Sequence, residues 1–200
     1  LHRCETVINM TAPTDPIISL VVLNYNGLVH LQSCLPSLAK LNYPADRLEL
    51  IVVDNGSTDE SLSYMRSTHA DVRVVALPKN LGFAGGNNIG AREAKGDFVV
   101  FLNNDMWVDP DLVRNLVSTL RVFPKARCVG AKILNWDGTK FDFAGSSASF
   151  AGYAYQEGAG ELFSPTRHNQ AKEILFACGG AMLIDRQLFL EVGGFDEDYF

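Results

Sequence analysis

The sequence is organised around one almost continuous apolar run, Ile17-Ile18-Ser19-Leu20-Val21-Val22-Leu23-Asn24, which is rich in β-branched residues. Such a run is typical of a strand buried on both faces, as in the middle of a parallel sheet. It ends at Asn26-Gly27, which is a turn signal. Apolar residues then recur at helical spacing from Leu28 to Leu41, although Pro36 predicts a kink or a break in that helix.

Further apolar runs alternate with helical segments along the chain. Buried strands are predicted at residues 48–53, 72–77, 97–102, 128–134 and 174–184. Helices are predicted to start at residues 57–60 and to span residues 84–95, 111–123 and 186–192. Residues 136–170 are rich in Gly, Ser and aromatic residues and predict an antiparallel excursion with long loops. The alternation predicts an α/β fold with a mixed, mostly parallel sheet flanked by helices.

Length and composition indicate one globular unit. The 200 residues are 47% hydrophobic and 20% charged, which suits a domain with a full core. We therefore expect a single domain over residues 17–200, preceded by a polar tail over residues 1–16. The net charge is -6 and no Lys/Arg cluster stands out, so we expect no nucleic-acid partner. No apolar run reaches the ~18 residues of a membrane span, and no signal peptide is recognisable.

The four cysteines are far apart and form no Cys-x-x-Cys pair. This spacing favours free thiols in a reducing compartment over a metal site or a disulfide framework. We therefore expect a cytoplasmic protein, either free or peripheral at the inner face of the cell membrane. The acidic balance argues against a polybasic membrane anchor.

Polar clusters follow four of the predicted strands. They are Asn24-Tyr25-Asn26, Asp54-Asn55-Gly56-Ser57-Thr58-Asp59, Asn80-Leu81-Gly82 and Asn103-Asn104-Asp105. The carboxyl ends of parallel strands lie at one edge of a sheet, where open α/β sheets bind ligands. One such cluster is usually only a turn. Four at the same edge favour a binding cleft.

The residue types in these clusters suggest specific contacts. The ring of Tyr25 can stack on a planar base, although a tyrosine of the core or rim is an equal alternative. The carboxylate of Asp54 can accept a hydrogen bond from an imide N–H or a hydroxyl. Ser57 or Thr58 can cap the next helix, which leaves Asp54 unexplained by capping. Asp105 supplies an oxygen ligand for Mg²⁺ or Mn²⁺, although a single aspartate at a strand end is more often structural.

The third cluster continues into a glycine-rich segment, residues 80–90, that opens a predicted helix. Backbone N–H groups at a helix start suit a phosphate group. The segment matches neither the Gly-x-Gly-x-x-Gly motif nor the ATP-binding phosphate loop. A dinucleotide-binding protein and a phosphate-loop ATP-binding protein are therefore disfavoured. The alternative is a tight turn between strand and helix.

The order of these clusters resembles the large family 2 of inverting glycosyltransferases, which have the nucleotide-diphospho-sugar (GT-A) fold. The resemblance rests on segments 21–26, 52–59, 80–88, 102–105 and 178–197. Together they extend over residues 17–200, and five motifs in the right order make the resemblance specific. The sequences of these motifs are most similar to those of the rhamnosyltransferase-like members that build bacterial surface polysaccharides.

The resemblance implies roles for named residues. Tyr25 and Asn26 would line the base pocket, and Asp54 would hydrogen-bond the base. The remaining implied donor-binding residues are Asn55, Gly82, Asn88, Asn103 and Asn104. Gly179 and Gly180 would let the backbone approach the donor sugar and the acceptor. Asp105 matches the last acid of the family's Asp-x-Asp motif and would bind Mg²⁺ or Mn²⁺, although Asn stands at the two earlier positions.

The second departure from the family pattern concerns the Glu-Asp pair that contains the catalytic base. The family places a Glu-Asp pair a few residues after the segment Gly193-Gly194-Phe195-Asp196-Glu197, and its Asp is the base. The chain ends at Phe200, so we expect a C-terminally incomplete domain whose base follows Phe200. Asp196 and Asp198 are the candidates within the chain, although they belong to the preceding motif.

The expected function is transfer of a sugar from a nucleotide-diphosphate donor, UDP- or dTDP-linked, to a hydroxyl. The expected acceptor is a glycan or a lipid-linked glycan, and the expected stereochemistry is inversion. A nucleotide-sugar-binding module or pseudoenzyme without turnover is the main alternative. A sugar nucleotidyltransferase is disfavoured, because the first strand leads into Asn24-Tyr25-Asn26-Gly27 and not into a basic glycine-rich loop.

Overall fold

The computed structural model describes residues 15–199, so residues 1–14 of the predicted tail lie outside the described part. The strands, in chain order, are β1 (Ile18–Asn24), β2 (Leu48–Asp54), β3 (Arg73–Ala76), β4 (Phe98–Asn103), β5 (Cys128–Gly130), β6 (Ile133–Leu134), β7 (Phe141–Phe143), β8 (Ser146–Ala148), β9 (Ala154–Gln156) and β10 (Ala181–Asp185). The α-helices are α1 (Leu28–Leu38), α2 (Ser61–Thr68), α3 (Gly82–Glu93), α4 (Leu112–Val122) and α5 (Arg186–Glu191).

The main sheet has six strands in the order β3-β2-β1-β4-β10-β5. β1 runs parallel to β2 and β4, and β2 runs parallel to β3. β10 is antiparallel to both β4 and β5. The predicted α/β fold with a mixed, mostly parallel sheet is therefore confirmed.

Both faces of this sheet are buried, as the apolar run of β1 predicts. Leu20 and Val22 pack into the core beneath helices α1, α2 and α4, and both are fully buried. Val21 points to the opposite face and packs with β2, β4, α3 and α5. A strand whose two faces are both covered by helices needs apolar residues at successive positions, which explains the absence of alternation.

Helix α3 lies unusually close to the sheet. A Cβ atom on Gly86 would stand 2.4 Å from Cδ1 of Leu23, and one on Gly90 would stand 2.3 Å from Cγ1 of Val21. Glycine inside a helix costs about 1 kcal/mol relative to alanine. Glycine is nevertheless required at these positions, because any larger side chain would push the helix away from β1.

Three local predictions from the sequence are wrong. The break predicted at Pro36 does not occur, because helix α1 continues to Leu38. Pro36 and Gln32, whose carbonyl lacks the N–H of residue 36, are both exposed, so water can reach that carbonyl. The strand predicted at residues 174–184 is confined to β10. The strand predicted at residues 128–134 is split into β5 and β6.

The antiparallel excursion predicted at residues 136–170 is confirmed. β6 pairs with β7 and β8 pairs with β9, in two antiparallel two-stranded sheets outside the main sheet. Ser146 ties the second of these to the chain leading into β10, because its Oγ donates to the carbonyl of Phe176 at 2.6 Å. In the described range 15–199, none of the helices has the length and apolar character needed to cross a membrane.

Candidate functional site

The polar clusters predicted to meet at one sheet edge do meet there. In the parallel register, Asn24 lies beside Asp54 and Leu23 lies beside Asn103. The segments that follow β1, β2 and β4 therefore leave the sheet side by side. This edge carries most of the site residues predicted from the sequence.

Asn24 is the hub of this edge. It is fully buried, and its Nδ2 donates to Oδ1 of Asp54 at 3.1 Å and to Oγ of Ser57 at 3.2 Å. Its Oδ1 accepts a 2.7 Å hydrogen bond from Nδ2 of Asn104. One side-chain amide thus joins the segments after three strands. The sequence analysis assigned Asn24 no role, although a polar residue that closes a buried apolar strand was the available signal.

Asp54 is held in place by the same network. Its side chain is almost completely buried, with 2% of its surface exposed. Oδ1 accepts from Asn24, and Oδ2 accepts from the backbone N–H of Ser57 at 3.3 Å. Ser57 therefore serves this cluster and not the helix cap predicted for it, because α2 begins only at Ser61.

Tyr25 and Asn26 are both exposed to solvent but differ in their contacts. The ring of Tyr25 is 48% exposed at the edge of the sheet, so it is available to a ligand. Asn26 has a left-handed backbone, with φ of 49°, and its Oδ1 accepts from the backbone N–H of Thr58 at 2.7 Å. The side chain of Asn26 therefore holds the segment after β2 against the segment after β1.

Gly27 is required by the closeness of this network. A Cβ atom at Gly27 would stand 2.1 Å from Nδ2 of Asn104 and 2.5 Å from Oδ1 of Asn24. Any larger residue would break the hydrogen bond between the two asparagines or displace the start of α1.

Asp59 joins the starts of two helices. Its Oδ2 accepts from the backbone N–H of Leu28, the first residue of α1, at 3.1 Å, and its Oδ1 accepts from that of Ser61, the first residue of α2, at 3.0 Å. Burial acts to raise the pKa of Asp59, but hydrogen bonds from Ser61 and Leu28 outweigh it and lower the pKa below its usual value. The carboxylate is therefore the favoured form.

Asn55 organises the loop that leads into α3. Its side chain is 2% exposed, and its Nδ2 donates to Oδ1 of Asn80 at 2.9 Å and to the carbonyl of Gly82 at 3.0 Å. Its Oδ1 accepts from the backbone N–H of Leu81 at 2.9 Å. The side chain predicted to bind the donor thus supports the loop from beneath.

The start of α3 faces the same edge. Gly82 adopts a left-handed backbone with φ of 73°, which lets the chain turn from the loop into the helix. The N-cap residue is Leu81, whose side chain makes no capping hydrogen bond. The backbone N–H of Gly82 already bonds Oδ1 of Asn80 at 2.8 Å, so the later N–H groups of the first turn are the ones suited to an anionic ligand.

Asp105 is exposed at the end of the Asn103-Asn104-Asp105 segment. The backbone N–H of Asn103 bonds the carbonyl of Gly180 at 3.0 Å, and Asn104 is held by Asn24. Across residues 15–199, no group hydrogen-bonds the carboxylate of Asp105, and no three His, Cys, Asp or Glu side chains cluster as a metal cage. A single free carboxylate fits a Mg²⁺ or Mn²⁺ ion whose other ligands are phosphate oxygens and water.

Gly179 and Gly180 bring the chain before β10 up to this edge. A Cβ atom on Gly179 would lie 3.1 Å from Cζ of Phe83, and one on Gly180 would lie 2.9 Å from Cε of Met106. The two glycines therefore allow close contact with the first turn of α3 and with the loop after β4.

Asn88 and the segment after α5 are paired. The side chain of Asn88 is 2% exposed, and all its polar groups bind residues 195–197. Within residues 15–199 its hydrogen bonds are therefore all made to that segment. The two candidate bases lie in that segment, where Oδ1 of Asp196 accepts from the backbone N–H of Asp198 at 3.0 Å, and both residues are exposed.

Known proteins share this architecture. The chain is similar to the mannosyltransferase PcManGT from Pyrobaculum calidifontis, solved with GDP-Man and Mn²⁺, with a TM-score of 0.68 and 23% identity over 93% of this chain and 49% of that chain. It is also similar to TarS residues 1–349 from S. aureus, with a TM-score of 0.67 and 19% identity over 91% of this chain and 51% of that chain. These neighbours are GT-A fold glycosyltransferases, so the predicted fold is confirmed.

Sequence comparison points in the same direction. The chain is 31% identical over 170 residues to the O-antigen biosynthesis protein RfbC of Myxococcus xanthus, covering 81% of this chain and 13% of that protein. It is 32% identical over 106 residues to the putative glycosyltransferase EpsH of Bacillus subtilis, covering 52% of this chain and 30% of that protein. The chain thus spans less than a third of either relative. The family model described as Glycosyl transferase family 2 matches residues 19–193, and the chain belongs to that family.

Proposed function

We propose that this chain carries the donor site of an inverting glycosyltransferase. The donor is a nucleoside-diphosphate sugar, UDP- or dTDP-linked, and the acceptor is a hydroxyl of a glycan or a lipid-linked glycan. The observation that carries the proposal is the hydrogen-bonded cluster of Asn24, Asp54 and Asn104, with the unpaired carboxylate of Asp105 beside it. Family membership and the relatives' names support sugar transfer for bacterial surface polysaccharides.

The base of the nucleotide would lie between Tyr25 and Asp54. The exposed ring of Tyr25 offers a surface for stacking, and Asp54 is a fixed acceptor for the imide N–H of uracil or thymine. A carboxylate that is already held by Asn24 and Ser57 loses little conformational freedom when it binds a base. One structure of the neighbour TarS contains UDP and another contains UDP-GlcNAc, which supports a uracil donor.

The diphosphate would lie between the start of α3 and Asp105. The first turn of α3, beyond the N–H of Gly82 that Asn80 accepts, offers N–H groups to phosphate oxygens. Asp105 would hold Mg²⁺ or Mn²⁺ together with the diphosphate, and the neighbour PcManGT was solved with GDP-Man and Mn²⁺. The bound ion supplies positive charge that stabilises the leaving diphosphate.

Transfer would follow an in-line displacement. The acceptor oxygen attacks the anomeric carbon as the bond from that carbon to the diphosphate oxygen breaks, and the configuration inverts. The acceptor proton passes to a carboxylate. Within the chain, the candidates for this carboxylate are Asp196 and Asp198. The first alternative is the base that the family's pattern places after Phe200. The proposed subtype is a hexosyltransferase that resembles the rhamnosyltransferases.

Binding and turnover experiments test the proposal together. Calorimetry with UDP, dTDP, GDP and ADP, each with and without Mn²⁺, should show Mn²⁺-dependent binding that is tightest for UDP or dTDP. Release of UDP from UDP-sugars, with water or an added glycan as acceptor, reports turnover. Binding without turnover would favour a nucleotide-sugar-binding module. No binding of any nucleoside diphosphate would refute the proposed donor site.

A further inference from the structure

Asn88 is buried in α3 and binds a segment more than a hundred residues away. Its Nδ2 donates to the carbonyl of Phe195 at 2.8 Å and to Oε1 of Glu197 at 2.9 Å. Its Oδ1 accepts from the backbone N–H of Phe195 at 2.8 Å. The amide of Asn88 therefore makes three hydrogen bonds to two residues of the same segment, Phe195 and Glu197.

We call the hydrogen bonds from Asn88 to Phe195 and Glu197 the clasp. The neighbouring residues pack closely around it. Gly194 adopts a left-handed backbone, with φ of 79°, and a Cβ atom there would stand 2.4 Å from Oδ1 of Asn88. The ring of Phe195 packs against Phe101 and Phe189, with centroids 5.1 Å away in both pairs, and against Phe83 at 5.5 Å. The segment is thus anchored by an aromatic cluster beneath it and by one amide beside it.

Glu197 lies along α3 because of this anchor. Its Oε1 accepts from Asn88 and lies 3.9 Å from Nη2 of Arg92, one turn further along the helix. Its Oε2 lies 3.9 Å from the position of a Cβ atom on Gly85, one turn closer to the start of α3. The carboxylate therefore lies over the middle of α3, while the ring of Phe195 packs on Phe83 in the first turn of the helix, at the edge of the candidate donor site.

We propose that Asn88 is a positioning residue that holds residues 193–199 on α3 and thereby fixes their carboxylates beside the donor site. This inference rests on the proposed function and deepens it. It differs from the role implied by family resemblance, which counted Asn88 among the donor-binding residues. A side chain whose donors and acceptor are all used on the segment acts on the reaction through that segment.

The change Asn88→Asp tests the clasp with little change in shape. It keeps an acceptor for the N–H of Phe195, removes both donors, and places a second carboxylate against Glu197. Two carboxylates this close repel each other unless they share a proton. We expect the backbone N–H of Phe195 to exchange with solvent about tenfold faster at neutral pH, since hydrogen bonds are lost. Protection should return near pH 5, where a shared proton restores a donor.

The second change, Glu197→Gln, should rescue the first. In the double variant Asn88→Asp/Glu197→Gln, the introduced amide donates to the introduced carboxylate, so protection should return at neutral pH. Asn87→Asp is the matched control, because Asn87 is equally buried in α3 and its Nδ2 donates only to the carbonyl of Phe83 in the same helix, at 3.0 Å. We expect the control to leave exchange at Phe195 unchanged.

Ligand measurements separate positioning from donor binding. In Asn88→Asp at neutral pH, the Kd for UDP with Mn²⁺ should stay within about twofold, and the rate of UDP release from a UDP-sugar should fall about tenfold at unchanged KM. An equal loss of UDP affinity would mean that Asn88 contacts the donor, and a failed rescue or equal loosening by Asn87→Asp would overturn the clasp. If the unmodified chain binds no nucleoside diphosphate, the proposed function fails, whereas exchange and rescue still test the clasp.

Discussion

Asn104 donates a 2.7 Å hydrogen bond from its side chain to the buried side-chain oxygen of Asn24, across 80 residues of sequence. Asn24 in turn donates from its Nδ2 to Oδ1 of Asp54. The residue expected to read the base and the segment expected to hold the metal are therefore connected through one amide. A change at this amide should affect both parts of the site.

Replacing Asn24 by alanine should be costly for stability. It leaves the carboxylate of Asp54 and the amide of Asn104 without their partner in a buried setting, and each unsatisfied group costs about 1–3 kcal/mol. Asn104→Ala leaves a single buried group, Oδ1 of Asn24, unsatisfied and should cost about half as much as Asn24→Ala. Urea unfolding of both variants measures the difference. Equal losses would show that Asn24 is not the hub.

Asp54 should discriminate among bases. Asp54→Asn keeps an oxygen that can accept from Asn24, so the variant should fold, but it removes the charged acceptor. Loss of one charge-assisted hydrogen bond costs about 1.5–3 kcal/mol, or roughly ten- to a hundredfold in affinity for UDP or dTDP. Calorimetry with UDP and GDP provides the comparison. An equal loss for every nucleoside diphosphate would argue against recognition of the base by this residue.

Asp105 should carry the metal dependence of binding. Asp105→Ala should abolish the part of UDP affinity that Mn²⁺ adds. Because the carboxylate is exposed and unpaired within the described residues, unfolding free energy should change by less than about 0.5 kcal/mol. Asp142→Ala, at an exposed aspartate of β7, is the control for removal of one negative charge. Metal-enhanced binding that survives in Asp105→Ala would show that the ion is held elsewhere.

The sequence was sufficient for the parallel part of the sheet and for the edge at which the candidate residues meet. Strand positions follow from apolar runs, and parallel strands necessarily end at the same edge, so Asp54 and Asp105 could be placed together before any coordinates. The contacts between side chains could not be predicted in this way. Ser57 has the chemistry of a helix cap, and only the path of the chain shows that it binds Asn24 instead.

The role of Asn88 was hidden for the same reason. Its partners, Phe195 and Glu197, are distant in sequence, and α5 has to return along the sheet before they meet. Its neighbour Asn87 has the same residue type and burial but bonds only within its own helix. A single sequence contains no signal that separates these two adjacent asparagines.

Asp59 should stabilise two helices at once. Asp59→Ala removes the acceptor for the first N–H groups of both α1 and α2, and loss of one cap costs about 0.5–2 kcal/mol. Asp59→Asn retains an oxygen acceptor and should lose much less. Circular dichroism during urea unfolding reports both helicity and stability. A loss in Asp59→Ala no greater than in Asp59→Asn would contradict double capping.

Glu49 lies at the opposite end of the sheet from the site and should make stability depend on acid. Its Oε2 accepts from Oγ of Ser19 at 2.6 Å and from the backbone N–H of Lys95 at 3.0 Å, and its Oε1 accepts from Arg73 at 3.4 Å. Burial acts to raise the pKa of Glu49, but these hydrogen bonds and the charge of Arg73 outweigh burial and lower the pKa below its usual value.

The sign of the effect follows from this lowered pKa. A carboxyl whose pKa is lower in the folded state stabilises the fold above its unfolded pKa and loses that contribution as pH falls through the folded value. The Tm should therefore fall more steeply below about pH 4.5 in the unmodified chain than in Glu49→Gln, which lacks the titrating group. Glu173→Gln, at an exposed position, should behave like the unmodified chain. If Glu49→Gln shows the same acid dependence as the unmodified chain, the network around Glu49 does not contribute to acid sensitivity. UDP affinity at neutral pH should be equal in all three proteins, because Glu49 lies at the amino ends of the strands, away from the carboxyl edge.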